Sequence, residues 1–500
     1  MAHIQLKDKN LNKLRTIDQR YVSYNVEMTE VTGGTFWKEY TPEQIAGMEE
    51  FPPIKDLMEF SGIMQWYDPI DLYDPKLRKL AAALGPTWIR VSGSWATKTY
   101  FDLDDQTGGT VPEGYQSVLT KAQWIGVLEF VKAVGGKLLV SVSNCDGDHP
   151  QNGPIMLDQT KKIFDFSARY GVPIDALEFM NEPNMLFTSG APKWYTAKDY
   201  VRDHDIVNRW VREHYPDCLL VGPCSTGDPS LSDKDDKVGA GLGNVVPALT
   251  TKELMDGAVE KLDVYSYHCY NGISERIASV MPDGHWQASQ AHTTDYLAVA
   301  EINAKRHIPL RDLYVPGGQM WITESGDAGG GGDTWASTYL EVLRMLNELG
   351  SVAKACDGIV FHNTLASSDY GWLRHSTFDP RPSYFAVLLW SMLMGTEVYD
   401  SQIPAQEGAH VYCHSRKDGK PGYVYLIINN SLVDTTTVEL PKECIRYTLC
   451  GNGDMRNTVM YLNGTPLALD SNEELPVLEG IAQSAGVAEL APGSCTFVVI

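Results

Sequence analysis

The stretch IDALEFMNEPN, residues 174–184, is a run of mostly apolar residues that ends in the polar group Asn181-Glu182-Pro183. A second stretch, QMWITES at residues 319–325, also ends in a glutamate, Glu324. Runs this apolar are typical of parallel β-strands that are buried on both faces. In a barrel of such strands all the carboxyl ends meet at one mouth, so we expect Glu182 and Glu324 to lie near each other.

Six further β-rich runs alternate with amphipathic segments along the chain, which makes eight runs with the two above. They are RYVSYNVEM from residue 20, PTWIRVSG from 86, KLLVSVS from 137, CLLVGP from 218, LDVYSYHCY from 262 and CDGIVFHNT from 356. Eight β–α units predict the α/β class and a (β/α)8 TIM barrel. A doubly wound open sheet is the competing arrangement, but no glycine-rich phosphate-binding fingerprint follows the first run.

The pattern changes after about Met394, where short strand-like runs are separated by Gly, Asn and Asp. This favours a smaller C-terminal antiparallel β-sandwich domain. We expect the catalytic barrel at residues 15–395 and the sandwich at residues 396–500, with residues 1–14 as a candidate additional strand of the sandwich.

The composition limits the partners of this 500-residue chain. Its formal net charge of -23 disfavours nucleic acid, anionic membranes and highly sulfated polysaccharide as partners. No stretch approaches the roughly 20 apolar residues of a membrane helix, and the start of the chain has no apolar signal core. The nine cysteines show no zinc-binding spacing. We therefore expect a soluble, cytoplasmic protein with free thiols.

A retaining glycosidase uses two catalytic carboxyl groups, which lie about 5–5.5 Å apart. Two carboxyl groups at one barrel mouth can meet this spacing. One glutamate at the end of a strand is often only a helix cap or half of an ion pair. Two glutamates that end the fourth and the seventh run of one barrel are a stronger signal, because both point to the same mouth.

The chain resembles glycoside hydrolase family 79, the family of heparanase and the exo-acting β-glucuronidases. The resemblance covers nearly the whole chain. Its motifs are YVSYNVE from residue 21, LGPTWIRVSGS from 84, FMNEPN from 179, YSYHCY from 265, WITESGDAGGGG from 321, YGWLRHSTFDPRPSYF from 370 and LAPGSCTFVVI from 490. The motif NEP is shared by many families, whereas the glutamate followed by a glycine cluster is more specific.

This resemblance implies that Glu182 is the general acid/base and that Glu324 is the nucleophile. It also implies a set of sugar-contacting or supporting residues around them, namely Asn181 at the 2-hydroxyl, Tyr270 on Glu324, His268 shaping the pocket, and Glu27 and Ser94 at other hydroxyls. His268 also allows a purely structural interpretation, because it lies within an apolar run.

The run Gly329–Gly332 suits an anion, because glycines let the backbone approach a ligand and expose N–H groups. In the family such a loop and a nearby tyrosine hold the carboxylate of the uronic acid. The resemblance therefore assigns Gly330, Gly331 and Tyr370 to this role. Trp372 is a candidate for stacking on a sugar face, although tryptophan is as often a core residue.

The function that we expect is that of a retaining exo-β-glycosidase, a β-glucuronidase acting by double displacement on small β-D-glucuronides or glucuronate-terminated oligosaccharides. Three alternatives stay open: a heparanase-like endo-β-glucuronidase, a neutral β-glycosidase on the same scaffold, and a carbohydrate-binding protein with an inactive site. We expect no metal and no cofactor, because the reaction needs neither.

Overall fold

The computed structural model describes residues 2–55, 62–231 and 247–500. Its centre is a closed barrel of eight parallel strands that follow one another in chain order around the barrel. They are β1 (Val22–Glu27), β2 (Trp88–Ser92), β3 (Lys137–Ser141), β4 (Ala176–Glu178), β5 (Leu219–Thr226), β6 (Val264–Ile273), β7 (Gln319–Gly329) and β8 (Val360–His362). All eight runs read from the sequence form these strands, and the predicted barrel is confirmed.

One helix that packs outside the barrel follows each strand. They are α1 (Pro75–Ala83), α2 (Lys121–Val134), α3 (Asp158–Tyr170), α4 (Ala197–His214), α5 (Thr251–Met255), α6 (Val299–Tyr314), α7 (Tyr339–Ala355) and α8 (Pro382–Leu393). The sequence sets the ends of α2: Thr120 caps its first turn, and Gly135 ends it with a φ of 63°. Within the described residues, no helix combines the length and the apolar character needed to span a membrane.

Shorter strands and helices lie in the segments that connect the barrel strands and helices. The strand Gly34–Trp37 pairs with Met64–Tyr67 in an antiparallel hairpin, and Thr99–Asp102 pairs in parallel with Ser117–Thr120. The remaining short helices are Met28–Thr32, Pro42–Ile45, Leu186–Ser189 and Thr294–Leu297, and the 3-10 turns are Ala96–Lys98, Asp146–Asp148, Pro150–Asn152, Glu275–Ile277, Pro282–Gly284 and Ala288–Gln290.

The inside of the barrel changes from apolar to charged towards the mouth. A cluster with one or two buried residues from each of β2 to β8 or its edges fills the lower interior. Within it, the rings of Trp88 and Trp321 lie 5.0 Å apart. Arg90 lies two residues after Trp88 on β2, and Glu178 lies two residues after Ala176 on β4. These two side chains form a fully buried ion pair. The aromatic floor and the charges above it follow from the two-residue period of the strands.

An irregularity in β7 changes which side chain faces the mouth. Tyr267 of β6 is opposite Ile322 and His268 is opposite Glu324, so Thr323 is an extra residue in β7. Strict alternation from the interior residue Trp321 would direct Thr323, and not Glu324, into the barrel. The extra residue reverses the alternation at this point and directs Glu324 inward.

Two sheets made by the C-terminal residues and the N-terminal strands pack beside the barrel. The larger, antiparallel sheet has the order Lys13–Thr16, Met394–Tyr399, His410–Arg416, Tyr423–Ile428, Cys495–Val499, Cys444–Cys450, Tyr461–Leu462 and Thr465–Pro466, with Ile481–Gln483 also on Cys444–Cys450. The smaller sheet has Thr436–Leu440 between His3–Gln5 and Gly486–Leu490. Since Met394–Tyr399 crosses residue 395 and pairs with Lys13–Thr16, the expected boundaries at 15 and 395 stay a prediction.

The larger sheet is buried on both faces. In the strand Tyr423–Ile428, the side chains of Val424, Leu426 and Ile428 join the large core that includes the barrel helices. The alternate side chains of Tyr425 and Ile427 pack against the smaller sheet. The strand therefore reads as a continuous apolar run, YVYLII, because neither of its faces meets water.

Helix α7 makes the closest contact with this sheet. A Cβ at Gly350 would come 2.2 Å from the ring of Tyr412, so only glycine lets this ring lie against the helix. One turn away, the Asn347 amide accepts hydrogen bonds from Tyr412 at 2.8 Å and from His410 Nδ1 at 2.9 Å. It also donates to the carbonyl of Leu297. The interface is thus both close-packed and hydrogen-bonded.

We predict that Asn347→Ala lowers the free energy of unfolding by about 2–4 kcal/mol, because it leaves three buried polar partners without a hydrogen bond. Urea denaturation followed by circular dichroism measures this loss. The matched control is Asn472→Ala at an exposed position, which should change stability by less than about 0.5 kcal/mol. An Asn347→Ala protein as stable as the control would contradict a joined interface.

Candidate active site

A pocket of about 570 Å³ opens at the carboxyl ends of the barrel strands. Its polar lining comes from six strands or the loops that follow them, and includes Glu27, Ser94, Asn181, Glu182, His268, Tyr270, Glu324, Asn363 and Tyr370. An apolar wall comes from the hairpin after β1 and from β6, with Phe36, Trp37, Met64, Ile273 and Ile277. Most of the residues that the sequence assigned to a site therefore line one cavity.

Glu182 and Glu324 face each other across this pocket. A carboxyl oxygen of Glu182 lies within 4.8 Å of one of Glu324, a distance in the range of retaining rather than inverting glycosidases. Both side chains are largely buried, with exposed fractions of 17% and 7%. Glu182 has a φ of 43°, a left-handed conformation that is rare outside glycine and is found most often at functional sites.

Arg90 lies beneath both carboxyl groups and is completely buried. Its Nη1 donates to Glu324 Oε1 at 2.9 Å, its Nε donates to Glu178 Oε2 at 2.6 Å, and its Nη2 donates to Asn181 Oδ1 at 2.7 Å. Ser266 holds the other oxygen of Glu178 at 3.0 Å. A planar guanidinium can serve three acceptors at fixed angles, so Arg90 sets the positions of β4 and β7 relative to each other.

His268 connects the two glutamates from β6. Its Nδ1 lies 2.9 Å from Glu182 Oε1 and 3.4 Å from Glu324 Oε2, and its Nε2 lies 3.4 Å from Nη2 of Arg90. With Nε2 accepting from Arg90, Nδ1 carries the proton and donates to Glu182. The histidine thus orients Glu182 within the site, in addition to shaping the pocket wall.

Glu324 is held in its ionised form. Burial raises the pKa of this carboxyl, but His268, Arg90 and the hydrogen bond from Tyr270 together outweigh burial, and the net pKa lies below its usual value. The Tyr270 hydroxyl donates to Glu324 Oε2 at 2.8 Å. An ionised, hydrogen-bonded carboxylate at the mouth of a barrel is chemically equipped to act as a nucleophile.

A chain of amides links the two tyrosines of the pocket. Asn363, just after β8, donates to the hydroxyl of Tyr270 at 3.0 Å and lies 3.3 Å from the hydroxyl of Tyr370. Its own carbonyl accepts from Asn25 at 3.1 Å. Because Asn363 donates to the Tyr370 oxygen, the hydroxyl proton of Tyr370 is left to donate into the pocket.

Asn181, Ser94 and Glu27 complete the polar wall next to Glu182. Asn181 donates to the hydroxyl of Ser94 at 3.3 Å, which joins the loops after β2 and β4. Glu27, at the end of β1, lines the same cavity and is only 4% exposed. All three side chains therefore line the pocket, where the sequence predicted contacts to sugar hydroxyl groups.

The glycine loop after β7 has three consecutive left-handed residues, with φ of 96°, 94° and 85° at Gly330, Gly331 and Gly332. Arg276 donates to the carbonyls of Gly330 and Gly332 at 3.2 and 2.7 Å, and Ser368 donates to that of Gly331 at 3.0 Å. Among the hydrogen bonds of the described residues, none uses the N–H of Gly330 or Gly331. The carbonyls are thus anchored, whereas these N–H groups are available.

Two expected residues lie outside the pocket lining. Gly331 packs against Trp37 and Ser368, where a Cβ would come within 2.4 Å of the tryptophan. Trp372 is buried in the core, and its ring stacks on His362 with centroids 4.6 Å apart. Its location is corrected from a sugar platform to the core beneath the pocket, because its stacking surface is occupied by this histidine.

No family model matches the chain. Heparanase-like protein 1 of Arabidopsis thaliana is 24% identical over 86% of this chain and 85% of its own length. Baicalin-beta-D-glucuronidase of Scutellaria baicalensis is 29% identical over 36% of this chain and 35% of its own. The crystal structure of the alpha-L-arabinofuranosidase of Thermotoga maritima superposes with a TM-score of 0.61 at 13% identity, covering 100% of this chain and 99% of that one, which shows a shared fold.

This chain is a glycoside hydrolase. Its relatives include heparanase-like proteins and a β-glucuronidase, and its fold is that of other (β/α)8 glycosidases. The resemblance read from the motifs is thereby confirmed, as is the prediction of an enzyme.

The central cluster of this glycoside hydrolase could also be considered as a metal site. Glu182, His268 and Glu324 each offer one ligand atom, and these atoms lie within 4.8 Å of one another. The charge of Arg90 already balances the cluster from below, and a metal ion beside it would face this buried cation. The arrangement thus fits acid–base and nucleophilic chemistry better than metal binding.

Three residues that support the site were missed in the sequence. Arg90 and Glu178 lie inside apolar runs, and one charge of each sign in neighbouring buried strands was the available signal of an ion pair. Asn363 lies at the end of the eighth run, at the position where the other runs carry site residues. Lys98 also lines the pocket, with its ammonium 3.8 Å above the ring of Trp95.

We predict that Tyr270→Phe raises the pKa of Glu324, because the ionised form loses one donor. The acid-side limb of the pH–activity profile should then move to higher pH, since a nucleophilic carboxylate must be ionised. The lost hydrogen bond to a charged group, about 1.5–3 kcal/mol, should lower kcat/KM by about ten- to a hundredfold.

The control for this prediction is Tyr370→Phe, which removes a hydroxyl that also contacts Asn363 but does not bond to Glu324. Its acid-side limb should stay at the wild-type position. Steady-state rates on a nitrophenyl glycoside across the acid range measure both variants. An acid-side limb that does not move in Tyr270→Phe would contradict the proposed cause of the depressed pKa.

Proposed function

We propose that this chain is a retaining exo-β-glucuronidase that hydrolyses small β-D-glucuronides or glucuronate-terminated oligosaccharides by double displacement. The observation that carries the proposal is the pair of carboxyl groups, Glu182 and Glu324, with oxygens within 4.8 Å at the barrel mouth. The names of the relatives, which include both glucuronidases and heparanases, support a glucuronide substrate.

In the first step Glu324 attacks the anomeric carbon while the bond from this carbon to the leaving oxygen breaks. Glu182 gives its proton to that oxygen, and His268 keeps the Glu182 carboxyl in line. Arg90 and Tyr270 hold Glu324 in place before the attack. In the second step water attacks the glycosyl–enzyme bond, gives its proton to Glu182 and releases Glu324.

The anionic end of the sugar is assigned to Gly330 and Tyr370. The Gly330 N–H is available at the pocket wall, and the Tyr370 proton is free because Asn363 donates to its oxygen. Donors to an anion contribute about 1.5–3 kcal/mol each. Two of them favour a glucuronide over a glucoside by about a hundredfold or more, at about 1.4 kcal/mol per factor of ten.

The charge of the pocket supports a small substrate over a sulfated chain. Its described lining residues include only the two cations Lys98 and Arg306, beside the carboxyl groups of Asp228 and Glu324, so the pocket is not a basic cleft. The net charge of -23 acts in the same direction over longer distances. A heparanase-like endo-cleavage would need a basic cleft, so it is the less favoured function.

The roles of the two glutamates are tested by replacing each one. Glu324→Gly should abolish turnover, and azide should restore a product, the α-glycosyl azide, because azide then attacks from the face of the missing nucleophile. Glu182→Ala should retain activity on substrates with acidic phenol leaving groups, which need little protonation, and azide should yield the β-glycosyl azide. Proton NMR identifies both products. Wild-type rates in Glu324→Gly would exclude it as the nucleophile.

The sugar specificity is tested with nitrophenyl β-D-glucuronide and nitrophenyl β-D-glucoside. The wild type should prefer the glucuronide, and Tyr370→Phe should lower kcat/KM for the glucuronide about tenfold or more with little effect on the glucoside. Gly331→Ala is unsuitable as a control, because a Cβ at this position would clash with Trp37. The control is Trp372→Phe, which changes an aromatic residue of the core outside the pocket lining. A wild-type preference for the glucoside would contradict the glucuronidase proposal and leave the retaining mechanism intact.

A further inference from the structure

Glu27 occupies an unusual position for an acidic side chain. It ends β1, it lines the pocket, and it is only 4% exposed. One of its oxygens lies so close to the backbone of Gly93 that a Cβ there would come within 1.7 Å of it. Glycine at position 93 is therefore what makes room for this carboxyl group beside β2.

The charges around Glu27 are mostly of its own sign. Glu30 faces it from the following short helix, Glu182 from the end of β4 and Glu324 from β7. The cation that acts on Glu27 is Arg90 of β2. Its Nη1, Nε and Nη2 atoms already donate to Glu324, Glu178 and Asn181. No ion pair to Glu27 is found among the described residues.

An ionised Glu27 would therefore be a buried charge without a counter-ion, which proteins avoid by keeping the proton. Burial first, and then the charge of Glu324, hold the pKa of Glu27 well above its usual value. Burial also raises the pKa of Glu30 to about 8. Two neighbouring acids thus prefer their neutral forms in this wall of the pocket.

Tyr370 lines the same pocket as Glu27, and burial first, and then the charge of Glu27, raise the pKa of the Tyr370 hydroxyl. Tyr370 is one of the two residues assigned to the anionic end of the sugar. A uronate bound there shares this pocket with Glu27. Two like charges roughly 6–10 Å apart at an effective dielectric constant of about 20 weaken binding about ten- to a hundredfold.

We propose that Glu27 holds a proton during turnover and, as a neutral acid beside Tyr370, lets the pocket accept a negatively charged sugar, whereas ionised Glu27 rejects it. This inference rests on the proposed function, because the uronate is assigned to Tyr370 and Gly330 there. Glu27 is then a specificity-determining residue. The pocket accepts a uronic acid when Glu27 is protonated and rejects it when Glu27 is ionised.

The test measures kcat/KM for nitrophenyl β-D-glucuronide and nitrophenyl β-D-glucoside from acid to alkaline pH. The ratio of the two values cancels the titration of Glu182 and Glu324, which both substrates need. In the wild type the ratio should fall by about ten- to a hundredfold on the alkaline side. In Glu27→Gln, which is neutral at every pH, the ratio should stay constant.

Glu30→Gln is the matched control, because Glu30 is equally buried and also titrates, but it does not line the pocket. Its ratio should fall as in the wild type. Burial also lowers the pKa of Lys98 to about 8, so Lys98 and Glu30 both titrate in this range. A decline that persists in Glu27→Gln would assign the effect to Lys98 or Glu30 and overturn the inference.

A ratio that is independent of pH in the wild type would also overturn it, and this result needs no variant. A second measurement is independent of turnover: the infrared spectrum of the wild type at neutral pH should contain a carboxylic acid carbonyl band that is lost in Glu27→Gln. Absence of this band contradicts a proton on Glu27. If the wild type hydrolyses the glucoside but not the glucuronide, the proposed function is contradicted. If it prefers the glucuronide equally at every pH, only the inference about Glu27 is contradicted.

Discussion

The buried guanidinium of Arg90 is the constraint on which the site depends. It donates to Glu178 and Asn181 on the fourth strand unit and to Glu324 on the seventh. A cation enclosed in a barrel is tolerated only with such partners, because an unpaired buried charge is strongly destabilising. The requirement to satisfy Arg90 therefore holds Asn181, and with it Glu182, at a fixed distance from Glu324, and the spacing suited to double displacement is a by-product of the ion pair.

The electrostatics of the pocket follow from how this single cation is shared. Glu324 receives its charge directly, together with a contact to His268 and a hydrogen bond from Tyr270, and its pKa is depressed. At Glu27, burial and the charge of Glu324 outweigh that of Arg90, and the pKa is raised. The pKa values of two carboxyl groups in one cavity are thus shifted in opposite directions, which is how one site can favour an ionised and a neutral carboxyl group at the same pH.

The barrel supports this arrangement from below and from outside. The aromatic floor of Trp88 and Trp321 closes the barrel beneath the charged layer and keeps water away from Arg90. Outside, the C-terminal sheet packs on α7, where Gly350 admits the ring of Tyr412. Helix α7 follows β7, so the C-terminal sheet supports the strand unit that carries Glu324.

The sequence by itself determined the eight strands, because buried parallel strands are apolar throughout, and it determined that Glu182 and Glu324 end two of them. It also indicated the glycine loop and the change to antiparallel strands near Met394. Only the tertiary structure decided which side chains meet: the extra residue Thr323 directs Glu324 inward against the simple alternation, and stacking on His362 takes Trp372 out of the pocket. The ion pair of Arg90 and the carboxyl groups of Glu182 and Glu324 around Glu27 belong to this second group, because these partners are distant in the chain.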